Sequence, residues 1–240
     1  MSEGYSPDEM MAVEAARRIR DGAVCFVGIG LPSLACNLAR ATHAPDCVLV
    51  YESGTIGAKP KRLPLSIGDG ELAETADTVV SVPEIFAYWL QGERVDIGFL
   101  GAAQIDRFGN LNSTVIGDYE RPRVRLPGAG GAPEIARLCR EVFVMLRHSR
   151  RAFVERLDFL SSVGDRVAVV VTDLGTLEPD PDTRELVLVR THPGISADDV
   201  RATTGWKLRV ADELGETEPP THAELTALRA LTEGAAAGVA

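Results

Sequence analysis

Glu52 is the residue of this chain best placed to do chemistry, because of what stands on either side of it. The β-branched, apolar run Val48-Leu49-Val50-Tyr51 reads as a short strand buried on both faces, and it stops on this carboxylate. Ser53 and Gly54 follow, two small turn-forming residues that let the chain reverse without covering the acid. Open α/β sheets place their chemistry at the carboxyl ends of strands. A carboxylate delivered there can act as nucleophile or as acid/base. It can also be a ribose-binding acid or a helix N-cap neighbour, and this segment alone leaves all of these open.

Two glycine-rich turns could serve such an acid. Gly28-Ile29-Gly30-Leu31-Pro32-Ser33 follows an apolar run, and Glu52 lies at the end of the next strand, an imitation of a dinucleotide fingerprint. Ser33 stands where a third glycine would permit close helix–sheet packing, and Pro32 starts a helix. Dinucleotide binding, a structural tight turn and an anion or thioester site all remain possible. The second turn, Gly128-Ala129-Gly130-Gly131, leaves backbone N–H groups bare ahead of a helix, where an oxyanion or phosphate is favoured; a loop needing positive φ has the same composition.

The elements around these turns alternate β with α. Ser6-Pro7-Asp8-Glu9 and the stripe Met10, Met11, Val13, Ala16, Ile19 predict a helix to residue 20. Strands are expected over 23–27, 48–51, 79–82, 96–100, 142–146, 167–172 and 186–190, with helices over 34–41, 83–91 and 133–140, after Ser196, and after Pro220. Residues 57–69, with two prolines, and residues 101–112, rich in residues that tolerate left-handed backbone, read as ordered loops. Arg147, Arg150, Arg151 and Arg156, beside Phe153 and Leu157, read as the solvated face of a helical stretch. Arg121, Arg123 and Arg125 alternate as on one face of an extended strand and could steer an anionic ligand. We expect one α/β domain over residues 1–232, an open, mostly parallel sheet with flanking helices, and a flexible tail over 233–240.

With 35 acidic against 25 basic residues and a net charge of −10, the chain repels phosphate backbones and anionic lipid surfaces, so neither nucleic acid nor membrane is an expected partner. No apolar run reaches the roughly 20 residues that span a bilayer, and Met1-Ser2-Glu3 does not open a signal peptide, so a cytoplasmic location is expected. Cys25, Cys36, Cys47 and Cys139 form no Cys-x-x-Cys pair and read as buried structural thiols. His43, His148, His192 and His222 have no metal-ligand spacing and read as surface or loop residues; no metal site is expected.

Taken in order, Gly28-Ile29-Gly30-Leu31-Pro32, Tyr51-Glu52-Ser53-Gly54, the stretch from Gly101-Ala102-Ala103-Gln104 to Gly109-Asn110-Leu111-Asn112, and Gly128-Ala129-Gly130-Gly131-Ala132 resemble the β subunit of family I coenzyme A transferases, in particular the glutaconate-type branch. The match runs along nearly the whole chain. The resemblance implies a CoA-transferase-type α/β fold, an α subunit as partner in a heterodimer or heterotetramer, an acyl-CoA thioester as substrate, and no tightly bound cofactor. It places the attacking glutamate at Glu52, with Ser53, Gly54, Gln104 and Asn112 along the substrate-site wall. Amides at Gly30, Gly130 and Gly131 are candidates for holding an oxyanion or CoA, because a carboxylate attacks well only where donors replace water. Relatives of this branch carry a Gly/Pro/Arg-rich loop where this chain passes directly through Ser161-Ser162-Val163-Gly164-Asp165-Arg166.

Within the family the wording resembles most the β subunit that opens the last steroid ring of cholesterol degradation as its CoA thioester. That resemblance implies hydrolysis of a cyclic β-oxoacyl-CoA, with Glu52 or a partner acid handling water and protons. The alternatives are true CoA transfer between carboxylates through a glutamyl thioester, a noncatalytic scaffold for a catalytic α partner, and a dinucleotide-binding oxidoreductase.

Overall fold

The structure, a computed structural model, describes the backbone over residues 4–237 and side chains over 4–232. Where one domain is expected, the chain forms two compact units. The first comprises Met1–Phe99, Leu138–Arg140 and Pro220–Ala240, the second Leu100–Arg137 and Glu141–Pro219.

In the first unit, α1 (Pro7–Arg17) begins as its cap predicts. Ser6 Oγ accepts from Glu9 N at 3.2 Å and the Glu9 carboxylate accepts from Ser6 N at 2.7 Å, satisfying two orphan donors reciprocally. Then come β1 (Val24–Phe26), α2 (Leu31–Ala41), β2 (Val48–Val50), β3 (Thr55–Ile56), α3 (Gly70–Glu74), β4 (Thr78–Val79), α4 (Val82–Glu84) running on as a π-helical turn over Ile85–Leu90, and β5 (Ile97–Leu100). The strand order is β4-β3-β2-β1-β5, with β1 parallel to β2 and β5, and β2, β3 and β4 antiparallel. The strand expected over 79–82 stops early because Ser81 and Glu84 form a second capping box and turn the chain into α4.

A C-terminal helix over His222–Ala237 packs on α1 and α2, and Arg17 holds Glu224 through two bonds of 2.7 and 2.8 Å. The tail expected from residue 233 is therefore helical to Ala237, and residues 238–240 lie outside the described residues. All four cysteines are free and buried. Burial pushes the Cys36 thiol well up and that of Cys47 up to about 12, so both stay protonated and behave as small apolar core residues.

The second unit holds β6 (Gln104–Ile105), β7 (Leu111–Asn112), β8 (Val115–Gly117), β9 (Pro122–Arg125), α5 (Ala132–Leu138), β10 (Glu141–Met145), β11 (Val167–Val171), β12 (Gly175–Pro179), β13 (Leu186–Thr191), α6 (Ala197–Ala202) and β14 (Arg209–Glu216). Its main strands run β10-β11-β12-β13-β14, parallel at β10/β11 and β13/β14 and antiparallel between. β6/β7 and β8/β9 are separate antiparallel ribbons. The open α/β architecture is thus the expected one, with more antiparallel pairing than a purely doubly wound sheet.

The stretch carrying Arg147, Arg150, Arg151 and Arg156 is not a helix. Its backbone is spent on another element: Ile105 N donates to Ala152 O at 2.7 Å and Val154 N to Ile105 O at 3.0 Å. Phe153, fully buried, stacks on His148 at 3.6 Å between ring centres and on Trp206 at 5.9 Å, an anchor that helical periodicity could not reveal. His148 and His192 are accordingly core residues rather than surface ones. His148 Nε2 pairs with Thr204 Oγ1 at 2.9 Å, and His192 bridges Thr217 Oγ1 and Thr172 O. Burial holds His148 neutral by lowering its pKa to about 4.

Candidate active site

Glu52 stands at the tip of a tight turn. Gly54 N donates to Tyr51 O at 3.0 Å and Tyr51 N to Thr55 O at 3.0 Å, closing a hairpin between β2 and β3 with Glu52 and Ser53 at its centre. Gly54 is obligatory here on two counts: its φ is +108°, and a Cβ would come within 2.0 Å of Val80 O. Glu52 is half-buried, and its carboxylate has neither hydrogen bond nor ion pair among the described residues. Beside it, Ser53 Oγ and Thr55 Oγ1 are buried without a partner. Buried polar atoms are normally satisfied, so three such groups within four residues mark a site completed by something else.

The turn is braced from behind. Tyr51 is fully buried, its hydroxyl 3.0 Å from Ser33 Oγ, while Asn37 Nδ2 donates to Ser33 O at 2.9 Å. Burial raises the Tyr51 phenol to about 12, which keeps it a neutral hydrogen-bonding group. This network explains why Ser33 replaces the third glycine of a dinucleotide fingerprint: it ties α2 to the residue before Glu52. The signal was legible as Ser33 and Asn37, polar residues one turn apart on a helix face that is otherwise buried. Gly30 caps α2 at φ +82°, a conformation that needs glycine, and its carbonyl accepts from Leu34 N at 3.0 Å. Because β1 and β2 are parallel in register Phe26↔Val50, the Gly28–Gly30 turn and the Glu52 turn leave the same end of the sheet.

The other expected site residues belong to the second unit. Gln104 and Asn112 sit opposite one another on β6 and β7, both buried. Asn112 Nδ2 donates to Gln104 Oε1 and to Val115 O, each at 2.7 Å, and Asn112 Oδ1 accepts from Thr114 N and Val115 N. Gln104 Nε2 donates to Asp158 Oδ2 at 3.0 Å. These amides are consumed inside the loop and set its shape. Gly128 N bonds Ser113 O at 3.0 Å, which fixes the glycine turn to the same loop; Gly130 stands at φ +51° with open space around its Cα. The N–H groups of Gly130 and Gly131 have no backbone acceptor among the described residues.

A cavity of about 510 Å³ adjoins α5, lined by Pro133, Arg137, Leu160, Ser161, Ser162 and Val163. The chain over 161–166 is pinned rather than loose: Leu111 N donates to Ser162 O at 2.8 Å and Gly164 N to Asn110 Oδ1 at 2.9 Å. A Cβ on Gly164 would lie 2.2 Å from Phe108 O, so only glycine fits. Ser162 Oγ, buried at the cavity wall, has no partner.

An α/β chain with a bare glutamate on a strand-end turn and unsatisfied hydroxyls beside it is built for acyl chemistry. The chain matches the coenzyme A transferase family over residues 8–203, and it belongs to that family. It is 57% identical to a subunit of the 3-oxoadipate CoA-transferase of Pseudomonas knackmussii, over 97% of this chain and 95% of that protein. The crystal structure of glutaconate coenzyme A-transferase from Acidaminococcus fermentans matches with a TM-score of 0.91 at 32% identity, over 98% of each chain. The cholesterol ring-cleaving hydrolase IpdB subunit of Mycobacterium tuberculosis is 27% identical over 94% of each chain. The chain is thus one subunit of a heteromeric enzyme of this family, of the β type.

Proposed function

We propose that this chain is the β subunit of a CoA transferase that moves coenzyme A between short dicarboxylic acids, working with an α subunit. The observation that carries the reading is the unpaired Glu52 carboxylate on its rigid turn, flanked by the orphan hydroxyls of Ser53 and Thr55. Glu52 attacks the thioester carbonyl and expels the CoA thiolate, leaving an acyl-glutamyl anhydride. The thiolate then attacks the Glu52 carbonyl and releases the first carboxylate, so that CoA resides on Glu52 as a thioester until an acceptor carboxylate reverses the sequence. Ser53 and Thr55 offer donors to the carboxylate oxygens, and the amides of Gly30, Gly130 and Gly131 are candidate donors to the tetrahedral oxyanions. Gln104 and Asn112 act by holding the loop that carries the wall.

The 3-oxoadipate and glutaconate named for the two similar proteins are both short dicarboxylic acids, which supports the substrate class. Steroid ring opening, the first expectation from sequence, is the weaker reading, since it rests on a relative 27% identical against one 57% identical. Acceptor dependence tests the choice. The copurified heteromer should exchange CoA from a dicarboxylyl-CoA only when a free dicarboxylate is supplied. Release of free CoA at the same rate without acceptor would identify a hydrolase instead.

A further inference from the structure

We propose that the exposed β8–β9 ribbon binds the 3′-phospho-ADP end of coenzyme A, and that the cavity beside α5 receives the pantetheine arm. The inference rests on the CoA-thioester reading above and assigns that ligand a place on the second unit. Arg121, Arg123 and Arg125 are all exposed on this ribbon, and none has a carboxylate partner among the described residues. In a chain of net charge −10, whose Arg17, Arg62, Arg107 and Arg229 are each held by acids, unpaired guanidiniums in a row are an unused anion site.

Aromatic surface accompanies the charge. The Arg125 guanidinium lies 5.0 Å from the Tyr119 ring centre and donates to Tyr119 O at 3.3 Å, holding in place a ring that remains 51% exposed. Tyr119 stacks on Phe159 at 5.4 Å, and Phe159 precedes Leu160, a wall of the 510 Å³ cavity. Cations, an exposed ring and a cavity therefore follow one another along one surface, in the order in which coenzyme A presents phosphates, a base and a long neutral arm. The cavity suits that arm. Pro133, Leu160 and Val163 are apolar, the Ser162 hydroxyl is spare, and the Arg137 charge is already taken by Asp165. From Arg125 to Gly130 is five residues, at most about 18 Å of chain, so the stripe lies within reach of the glycine turn. Asp118 and Glu120 also stand on the ribbon; Asp118 Oδ1 is engaged by the N–H groups of Glu120 and Arg121.

The test compares acyl-CoA, acyl-dephospho-CoA and the acyl-pantetheine thioester in the copurified heteromer, wild type against the double variant Arg121→Gln/Arg123→Gln. The ratio of kcat/KM for acyl-CoA over acyl-pantetheine should fall about tenfold in the variant, as expected for lost charge-assisted phosphate contacts. The fall should be smaller for acyl-dephospho-CoA, and Arg121→Lys/Arg123→Lys should restore part of the ratio. Equal ratios in wild type and variant would overturn the assignment while leaving the transferase reading intact. Failure of the variant to copurify with its partner would overturn it too, giving the stripe to subunit docking. A wild-type heteromer inert toward every CoA thioester would overturn both readings.

Discussion

Gly54 decides where Glu52 can stand. The residue closes the β2–β3 turn with a backbone that L-residues disfavour and a Cα that Val80 O approaches too closely for any side chain. Gly54→Ala should therefore destabilise the first unit by about 2–4 kcal/mol, the sum of φ strain and a steric clash with backbone that cannot swing aside. Urea denaturation of the purified variant measures this. A loss below about 0.5 kcal/mol, on the order of an ordinary surface change, would mean the turn is not held as described. Ser53 and Thr55 differ in kind from Gly54, for their hydroxyls do nothing for the fold in this structure. Their presence is explained only by what the site receives.

At the scale of elements, the parts legible in sequence were those whose signals are local. The Ser6 capping box, the Val48 strand and the two glycine turns needed only neighbouring residues to be read. The parts missed depend on distant partners: residues 147–156 lose their helical reading to Ile105 and Trp206, β12 is masked by its terminal Gly175 and Pro179, and the acidic, largely exposed β14 has no apolar alternation. Tyr51, Ser33 and Asn37 could have been read as a brace, but only with the knowledge that α2 and β2 meet.

The His148–Phe153 stack gives this level a pH test. His148 titrates near 4 when folded against an ordinary 6.5, so the unfolded chain takes up the proton first as pH falls. Its contribution is fully present above about pH 7, declines by up to roughly 1.4 kcal/mol per pH unit below about 6.5, and is lost by about pH 4, a total of about 3 kcal/mol. Chemical denaturation between about pH 7 and 4.5 should show a shallower decline for His148→Gln than for wild type. Parallel curves would show that the imidazole is not buried neutral.

At the scale of the molecule, the chain is one subunit of a family whose β-type members include subunits of a 3-oxoadipate and a glutaconate transferase, and its two units divide the expected site residues between them. Gly30, Glu52, Ser53 and Gly54 belong to the first unit, and Gln104, Asn112, Gly130 and Gly131 to the second. Among the described residues no helix is long and apolar enough to cross a membrane. The most direct measurement on this molecule is covalent. The copurified heteromer is incubated with a dicarboxylyl-CoA, reduced with borohydride, digested and examined by mass spectrometry. The expected result is reduction of a single glutamyl thioester at Glu52, together with a loss of turnover of roughly 10²-fold or more in Glu52→Ala. An unmodified Glu52 in an enzyme that is turning over, with near-normal activity in Glu52→Ala, would contradict the proposal and leave this chain as the scaffold of a catalytic partner.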